Sequence, residues 1–147
     1  MKVRQAAKMI DSCVFCDIVN GLAQASVVFE DALTIAIVDL RQFNSGHILV
    51  IPRAHLHDVR ELDEVTGAAL MATVVKITRA VSRAFPNEGL SLWSSIGPAA
   101  FQEVPHLHIH VHPRLTNDGC LRIYPQEPTT PDRQQLRDYA ERVRREL

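Results

Sequence analysis

Residues 106–113, with the sequence HLHIHVHP, constrain the fold of this chain more than any other segment. Histidine stands at every second position from His106 to His112, and apolar residues fill the positions between them. Successive side chains of a β-strand point to opposite faces, whereas a helix would spread these imidazoles around its whole circumference. The alternation therefore predicts a strand with one apolar face on the core and a row of histidines on the other face.

Composition and charge narrow the class of protein. The chain has 147 residues, 46% of them hydrophobic, which is enough for one domain with a real core. Its net charge of −1 argues against a nucleic acid or an anionic membrane as the main partner. We see no signal-peptide pattern and no run that approaches the roughly 20 apolar residues of a membrane span. The three cysteines fit a reducing compartment better than a disulfide framework, so we expect the cytoplasm.

The remaining patterns predict an α+β domain with a mostly antiparallel sheet. Four further segments have the composition of strands, at residues 26–31, 33–40, 47–52 and 90–95. Apolar residues recur at three- and four-residue steps from Glu61 to Pro86, which is typical of one long amphipathic helix. A second helix is predicted near the C-terminus, with Pro131 at its first turn.

A row of imidazoles favours two kinds of chemistry. Two histidines at positions i and i+2 of a strand can both bind a tetrahedral Zn²⁺ that keeps an open coordination position. Alternatively, one imidazole attacks a substrate while its neighbours fix its tautomer and stabilise the developing anion. An ordinary solvated strand face would mix threonine, lysine, glutamate and serine instead. The residues alone leave both kinds of chemistry open.

The segment QEVPHLHIH resembles the Gln-x-x-x-His-x-His-x-His signature of the histidine triad (HIT) family, with Gln102 at the expected place. DLRQFNSGHILVIPRAH, residues 39–55, resembles the second conserved block of that family, and CVFCDIVNG resembles the start of many bacterial members. The resemblance therefore implies a HIT domain at residues 13–114. An N-terminal arm or short helix at 1–12 would precede it, and an extension with a helix at 115–147 would follow it.

The resemblance implies a HIT-like fold and a site for nucleotidyl transfer. The histidines of the triad would be His106, His108 and His110. His108 would be the nucleophile and form a covalent nucleotidyl-histidine that water hydrolyses, and His110 would hydrogen-bond the α-phosphate or the bridging atom. His47 would support the triad from a neighbouring strand. Gln102 would contact the phosphate or leaving group, and Asp39 would hold the ribose hydroxyls.

Several positions depart from the family pattern. Ser94 or Ser95 stands where many members have an asparagine that contacts the phosphate, and Phe101 replaces a glycine. His112 takes the last apolar position of the signature, and we expect it to face solvent at the end of the strand. Glu103 lies where several members have serine or threonine. Strand parity predicts that it points away from the histidines, unless a loop breaks that parity.

A second cluster of residues indicates a metal site. Cys13 and Cys16 have the C-x-x-C spacing of half a structural zinc site. In the bacterial proteins that this chain resembles, the set is completed by the positions of His55 and His106, with His57 as an alternative to His55. The resemblance thus implies structural Zn²⁺ that is not required for catalysis.

Three functions remain open at the level of sequence. The first is a HIT-type enzyme that releases a nucleoside 5′-monophosphate, above all AMP, from a phosphoramidate, a phosphoanhydride or a related leaving group. The second is a zinc-dependent hydrolase with the histidine row as ligands, and the third is a purine-nucleotide-binding module without turnover.

We expect the purine between Phe15, Ile18 and Leu40, and the C-terminal helix beside the pocket. By analogy with the family, the chain would form a homodimer through the helix after Glu61 and the strand at 90–95.

Overall fold

The fold combines one antiparallel sheet with α-helices, as the computed structural model describes it for residues 13–120 and 124–147. Its elements in chain order are α1 (Val14–Val19), β1 (Val27–Glu30), β2 (Thr34–Val38), β3 (Ile48–Pro52), α2 (Glu64–Ala84), β4 (Gly89–Trp93), β5 (Ile109–Arg114) and α3 (Arg133–Arg144). The predicted α+β class and the long central helix are confirmed. The arm predicted at residues 1–12 lies outside the described residues.

The sheet has the strand order β1-β2-β3-β5-β4, and every pair of neighbours is antiparallel. β1 and β2 form an antiparallel hairpin. β5 lies between β3 and β4, so His110 is paired with Leu49 on one side and with Trp93 on the other. This register places the histidine segment inside the sheet, where strands on both sides support it.

The core lies on both faces of the sheet. On one face α2 contributes the buried residues Leu70, Val74, Ile77 and Val81. On the other face Phe15 of α1 packs over the alternate residues of β2 and β3, which include Ile37 and Leu49. Because β2 and β3 are covered on both faces, they read in the sequence as continuous apolar runs rather than as alternating ones.

Helix α2 has clear end signals. The side chain of Asp63 caps the first turn by accepting a hydrogen bond from the backbone N–H of Thr66 at 2.8 Å. The helix ends at Ala84, and its cap Phe85 has extended geometry, as expected for the residue before Pro86. Its 21 residues are long and apolar enough to cross a membrane by length and composition alone, contrary to the sequence expectation. The packing of its buried face on the sheet accounts for that apolar stripe.

The histidine segment enters the sheet later than the alternation predicts. β5 begins at Ile109, whereas the predicted strand begins at His106. The backbone bends before it, since His106 N–H bonds the carbonyl of Val104 and Leu107 N–H bonds the carbonyl of Leu56. Those hydrogen bonds take the place of the backbone hydrogen bonds between neighbouring strands. His106 and His108 therefore lie on a bend that leads into β5. The two side chains therefore need not follow strand parity.

His112 is buried rather than exposed to solvent, so the expectation for this residue was wrong. Its exposed fraction is 2%. The ring of His47 packs edge-on against it with centroids 4.7 Å apart, and Cys120 Sγ lies 4.0 Å from its Nε2. Pro113 and Arg114 continue β5 beyond it, so the strand does not end at His112.

Candidate functional site

A cavity of about 420 Å³ opens between α1, the end of β2 and the segment before β5. Its apolar wall consists of Val14, Phe15, Ile18, Ile37 and Leu49. The three residues expected to hold a purine, Phe15, Ile18 and Leu40, all line it. Asp39, His108 and His110 line the same cavity, so it combines an apolar wall with imidazoles and a carboxylate. Among the described residues, none from α3 lines this cavity, contrary to the expectation for the C-terminal helix.

The tautomer of His108 follows from its hydrogen bond. Its Nδ1 lies 2.7 Å from the carbonyl oxygen of His106. Because a carbonyl can only accept, Nδ1 carries the proton of a neutral ring and donates it. Nε2 then carries a lone pair. The ring of Phe15 packs edge-on against this imidazole at 5.1 Å between centroids, which further fixes its orientation. His108 is thus a buried imidazole with a nucleophilic nitrogen at the cavity wall.

His47 and His110 form a hydrogen-bonded pair behind His108. Nδ1 of His47 lies 3.2 Å from the carbonyl oxygen of Arg41 and therefore carries a proton. Nε2 of a neutral His47 accepts, so Nδ1–H of His110 donates to it at 2.8 Å. The indole of Trp93 stacks on His110 with centroids 4.2 Å apart and planes 4° apart. These contacts from β3, β4 and the loop after β2 leave His110 little freedom to rotate.

Burial keeps these two imidazoles neutral. It lowers the pKa of His110 to about 3, and the neighbouring imidazoles add to that effect. Burial also lowers the pKa of His47, although the carboxylate of Asp39 opposes the shift. At neutral pH the pair is therefore uncharged, and Nε2 of His110 is an acceptor. A phosphate beside His110 would favour a second proton there, because opposite charges raise the pKa of a base.

Asp39 stands at the end of β2 and is 7% exposed. Its Oδ1 accepts the backbone N–H of Arg41 at 2.8 Å, and its Oδ2 lies 3.6 Å from Nδ1 of His47. Gln42 holds the loop that follows. Its amide oxygen accepts from the N–H groups of Gly46 and His47, and its amide nitrogen donates to two carbonyls of the same loop. The loop therefore presents a fixed carboxylate to the cavity.

Gln102 lies close to the cavity but does not line it. Its Oε1 accepts the N–H of Gly97 at 2.9 Å, and its Nε2 donates to the carbonyl of His57 at 2.8 Å. Both ends of the amide therefore fix the loop before β5. Of the two serines considered for a phosphate contact, Ser95 lines the cavity, whereas Ser94 is not among its lining residues.

Phe101 shows why a glycine is usual at its position. It has a φ of +63° and is 87% exposed at the rim of the cavity. A bulky residue with positive φ is a rare conformation that costs about 1–3 kcal/mol. The loop thus needs a left-handed residue there, and this chain supplies a phenylalanine.

Glu103 faces the cavity, so the parity prediction was wrong. It lines the cavity together with His108 because the bend at residues 104–106 interrupts the strand. Arg41, which the sequence did not single out, pairs with it through Nη2 and Oε2 at 2.8 Å. Trp93 and Gln42 were also missed. Trp93 could have been found only from the strand order, since its register opposite His110 depends on β4 pairing with β5.

The four predicted zinc ligands come together at the start of α1. Nδ1 of His106 lies 3.3 Å from Cys13 Sγ and 3.6 Å from Cys16 Sγ, and Nδ1 of His55 lies 3.2 Å from Cys16 Sγ. All four ligand atoms lie within 4.8 Å of one another. A tetrahedral zinc with bonds of about 2.3 Å to sulfur and 2.0–2.1 Å to nitrogen separates such atoms by about 3.6 Å. The residues present therefore fit zinc.

The surroundings of this cluster also fit a cation. Nε2–H of His106 donates to the carbonyl of Pro52 at 2.9 Å, which aims Nδ1 at the cysteines. Burial, together with Cys13 beside it, raises the pKa of Cys16 to about 11, so the thiol of Cys16 is protonated at neutral pH without a cation. His57, the alternative ligand, lies outside the cluster, and its Nδ1 is 3.2 Å from Oε1 of Glu61 instead.

A second group, Asp39, His47 and His110, is also compact enough to hold a metal ion. Its geometry differs from that of the cysteine cluster. Both ring nitrogens of His47 are used in hydrogen bonds, one of them at 2.8 Å to His110. Two nitrogen ligands of one tetrahedral zinc would stand about 3.3 Å apart. Within this group the arrangement therefore favours a hydrogen-bonded relay over a bound zinc ion.

Comparisons with known proteins agree with this fold. Residues 20–117 match the family model described as the HIT domain. The chain is 32% identical over 122 residues to adenosine 5′-monophosphoramidase hnt1 of Schizosaccharomyces pombe, which covers 82% of this chain and 89% of that protein. A crystal structure of a HIT family member from Bacillus subtilis superposes with a TM-score of 0.87 at 30% identity, covering 93% of this chain and 98% of the other. A histidine triad nucleotide-binding protein from Candida albicans superposes with a TM-score of 0.81 at 27% identity, covering 92% and 97%.

Proposed function

Because this chain belongs to the HIT family, we propose that it releases a nucleoside 5′-monophosphate, above all AMP, from a phosphoramidate, a phosphoanhydride or a related leaving group. One observation carries the proposal: a buried His108 whose Nδ1–H is held by a carbonyl, so that Nε2 keeps its lone pair beside an apolar cavity. The phosphoramidase of Schizosaccharomyces pombe, at 32% identity, supports this class of reaction.

The nucleotide would lie along the cavity. The purine packs against the apolar wall, next to Phe15, and the carboxylate of Asp39 accepts hydrogen bonds from the ribose hydroxyls. That placement puts the α-phosphate beside His108 and His110. Its negative charge favours a protonated His110, whose Nε2–H then donates to a phosphate oxygen.

The reaction proceeds in two displacements at phosphorus. First, Nε2 of His108 forms a bond to the α-phosphorus, and the leaving group departs with the electron pair of its own bond and takes up a proton. Second, a water oxygen bonds to phosphorus, the nitrogen–phosphorus bond breaks, and the water gives up a proton as AMP is released. The hydrogen bond from Nδ1 to the carbonyl of His106 supports His108 as its ring becomes positively charged.

We also propose that Cys13, Cys16, His55 and His106 hold a structural zinc ion. This ion would contribute the folding energy of a closed four-ligand site, and no step of the reaction passes through it. His106 would link the two sites, because its ring belongs to the zinc set while its carbonyl holds His108.

A homodimer is part of the proposal. Apolar side chains remain exposed on the outer face of α2, at Met71 and Val75, and on the edge strand β4, at Leu92. An unpaired edge strand beside an apolar helix face is suited to a second copy of the chain.

The cytoplasmic location stays a prediction from the use of cysteine, and a purine nucleotide is the proposed small-molecule partner.

The decisive experiment measures AMP release from adenosine 5′-phosphoramidate by the purified protein and by the His108→Ala variant. We expect turnover to fall by about 10³-fold or more in the variant, because His108 supplies the nitrogen that forms the covalent intermediate. The matched control is His57→Ala, since His57 is an exposed histidine outside the cavity. It should retain the activity of the parent protein.

The same assay separates the other two functions. Turnover at saturating substrate should survive a chelator, whereas a zinc-dependent hydrolase would lose it. Undiminished turnover by His108→Ala would disprove nucleophilic catalysis at this residue. Binding of AMP without turnover of the phosphoramidate or of a dinucleoside polyphosphate would identify a binding module instead.

A further inference from the structure

Two charged side chains meet over the mouth of the cavity. Arg41 Nη2 lies 2.8 Å from Glu103 Oε2, and Arg41 Nη1 donates to Glu103 Oε1 at 3.2 Å. Guanidinium and carboxylate thus pair through one hydrogen bond and one close ion-pair contact. Arg41 belongs to the loop that carries Asp39, and Glu103 precedes the bend that carries His108. The ion pair therefore bridges the two loops that present the reactive groups.

Stability is a poor explanation for this pair. Its side chains are 72% and 64% exposed, and ion pairs of that kind contribute little to the free energy of unfolding. Both residues nevertheless line the cavity. The guanidinium of Arg41 also lowers the pKa of Glu103, so the carboxylate is charged at neutral pH. The pair places one negative and one positive charge where a substrate has to pass.

The proposed binding mode places the leaving group near these charges. The purine occupies the apolar wall, and the α-phosphate lies beside His108 and His110. The atoms attached to the far side of that phosphate then extend toward the open side of the cavity, which Arg41, Phe101 and Glu103 line. A leaving group meets Glu103 and Arg41 whatever its chemistry.

We propose that Glu103 is a specificity-determining residue: by pairing with Arg41 it withholds the guanidinium from polyphosphate leaving groups and so favours substrates whose leaving group is an amine. This inference rests on the proposed function. A polyphosphate must draw Arg41 away and leave its own negative charges beside an unpaired Glu103, which costs free energy. An amine brings no negative charge, and its N–H groups can donate to the carboxylate while the ion pair stays intact.

The test compares two substrates with the same AMP half. Adenosine 5′-phosphoramidate releases ammonia, and diadenosine triphosphate releases ADP, so AMP formation gives kcat/KM for each. We expect the ratio of kcat/KM for the polyphosphate to that for the phosphoramidate to rise about tenfold in Glu103→Gln, because Arg41 becomes available to the phosphates. In Arg41→Gln the ratio should fall about tenfold, because an unpaired carboxylate then faces the phosphates. High salt should reduce both changes.

Glu30→Gln is the matched control. Glu30 forms an exposed ion pair with Arg53, with Nη2 and Oε2 2.6 Å apart, but neither residue lines the cavity. In Glu30→Gln the ratio of kcat/KM for the polyphosphate to that for the phosphoramidate should equal that of the parent protein. Circular dichroism should show that all three variants fold. Ratios within twofold of the parent in both Glu103→Gln and Arg41→Gln, or shifts in the same direction, would overturn the inference.

Two further outcomes separate this inference from the proposed function. If the parent protein prefers diadenosine triphosphate, the assignment of Glu103 fails while nucleotidyl transfer through His108 stands. If the parent protein turns over neither substrate, the proposed function fails and this inference fails with it.

Discussion

At the scale of single residues, Gly46 is the position that fixes His47. It has a φ of +101°, and a Cβ built on it would lie 2.5 Å from Cδ2 of Phe85. Gly46→Ala therefore combines backbone strain with overpacking, and we expect it to lower the free energy of unfolding by about 2–4 kcal/mol. Urea denaturation measures the change. AMP release should also decrease because His47 shifts away from His110.

The control for that substitution is Gly89→Ala. Gly89 lies in β4 with an ordinary φ, and a Cβ there would meet nothing within 4 Å. It should change the free energy of unfolding by less than about 1 kcal/mol. Equal effects of the two substitutions would show that the left-handed turn before His47 carries no special constraint.

Sequence reasoning located reactive residues well where a pattern determines them and poorly where a backbone bend does. Asp39 and His108 line one cavity and His47 lies 3.6 Å from Asp39 beside it, because the end of β2 and the histidine segment are readable from the sequence. Glu103 was placed on the wrong face because parity was extended across residues that belong to no strand. His112 was placed in solvent because nothing local in the sequence reveals the ring of His47 above it.

At the scale of elements, α1 joins the proposed zinc site to the cavity. Cys13 and Cys16 flank Phe15, whose ring packs edge-on against both His106 and His108. A six-residue helix has little stability of its own, so its position depends on these contacts. We expect Cys16→Ser to lose the bound metal and to weaken AMP binding by about tenfold, because α1 forms one wall of the cavity.

Metal content by elemental analysis and the AMP dissociation constant by calorimetry check this expectation. Cys120→Ser is the matched control, since Cys120 is also partly buried but lies outside the cluster. It should keep one equivalent of metal and the parent affinity. A Cys16→Ser protein that retains its zinc would contradict the assignment of this ligand set.

The strands and the two longer helices were predictable, and the short helix α1 was not. The central helix and the C-terminal helix follow from periodicity over many residues, and Asp132 with Gln135 forms a capping box at the start of α3. α1 was missed because six residues give too short a window for a period of 3.6. The expectation that α3 lies beside the cavity was wrong. The apolar stripe of a helix predicts that one of its faces packs against something, but it does not predict which surface that face contacts.

At the scale of the whole molecule, the buried histidines predict how stability depends on pH. Burial lowers the pKa values of His47, His110 and His112 in the folded protein. The unfolded chain therefore binds more protons than the folded one, and the free energy of unfolding rises with pH. This stabilisation is fully present above the unfolded pKa of about 6.5 and is lost as the pH falls toward the folded values. His110, with a folded pKa of about 3, contributes about 1.4 kcal/mol of this loss between pH 7.5 and pH 5.5, and His47 and His112 add to it in the same direction.

Urea denaturation at pH 7.5 and at pH 5.5 measures this loss, and His112→Leu isolates one of its sources. The substitution removes a buried ring whose Nδ1 has no hydrogen-bond partner within the described residues, so it should cost little at pH 7.5. We expect the variant to lose less stability than the parent protein over the same pH range, because the lowered pKa of His112 no longer contributes. Because the ring of His47 packs on His112, an unchanged pH dependence would mean that the imidazoles titrate as a coupled group rather than as separate sites.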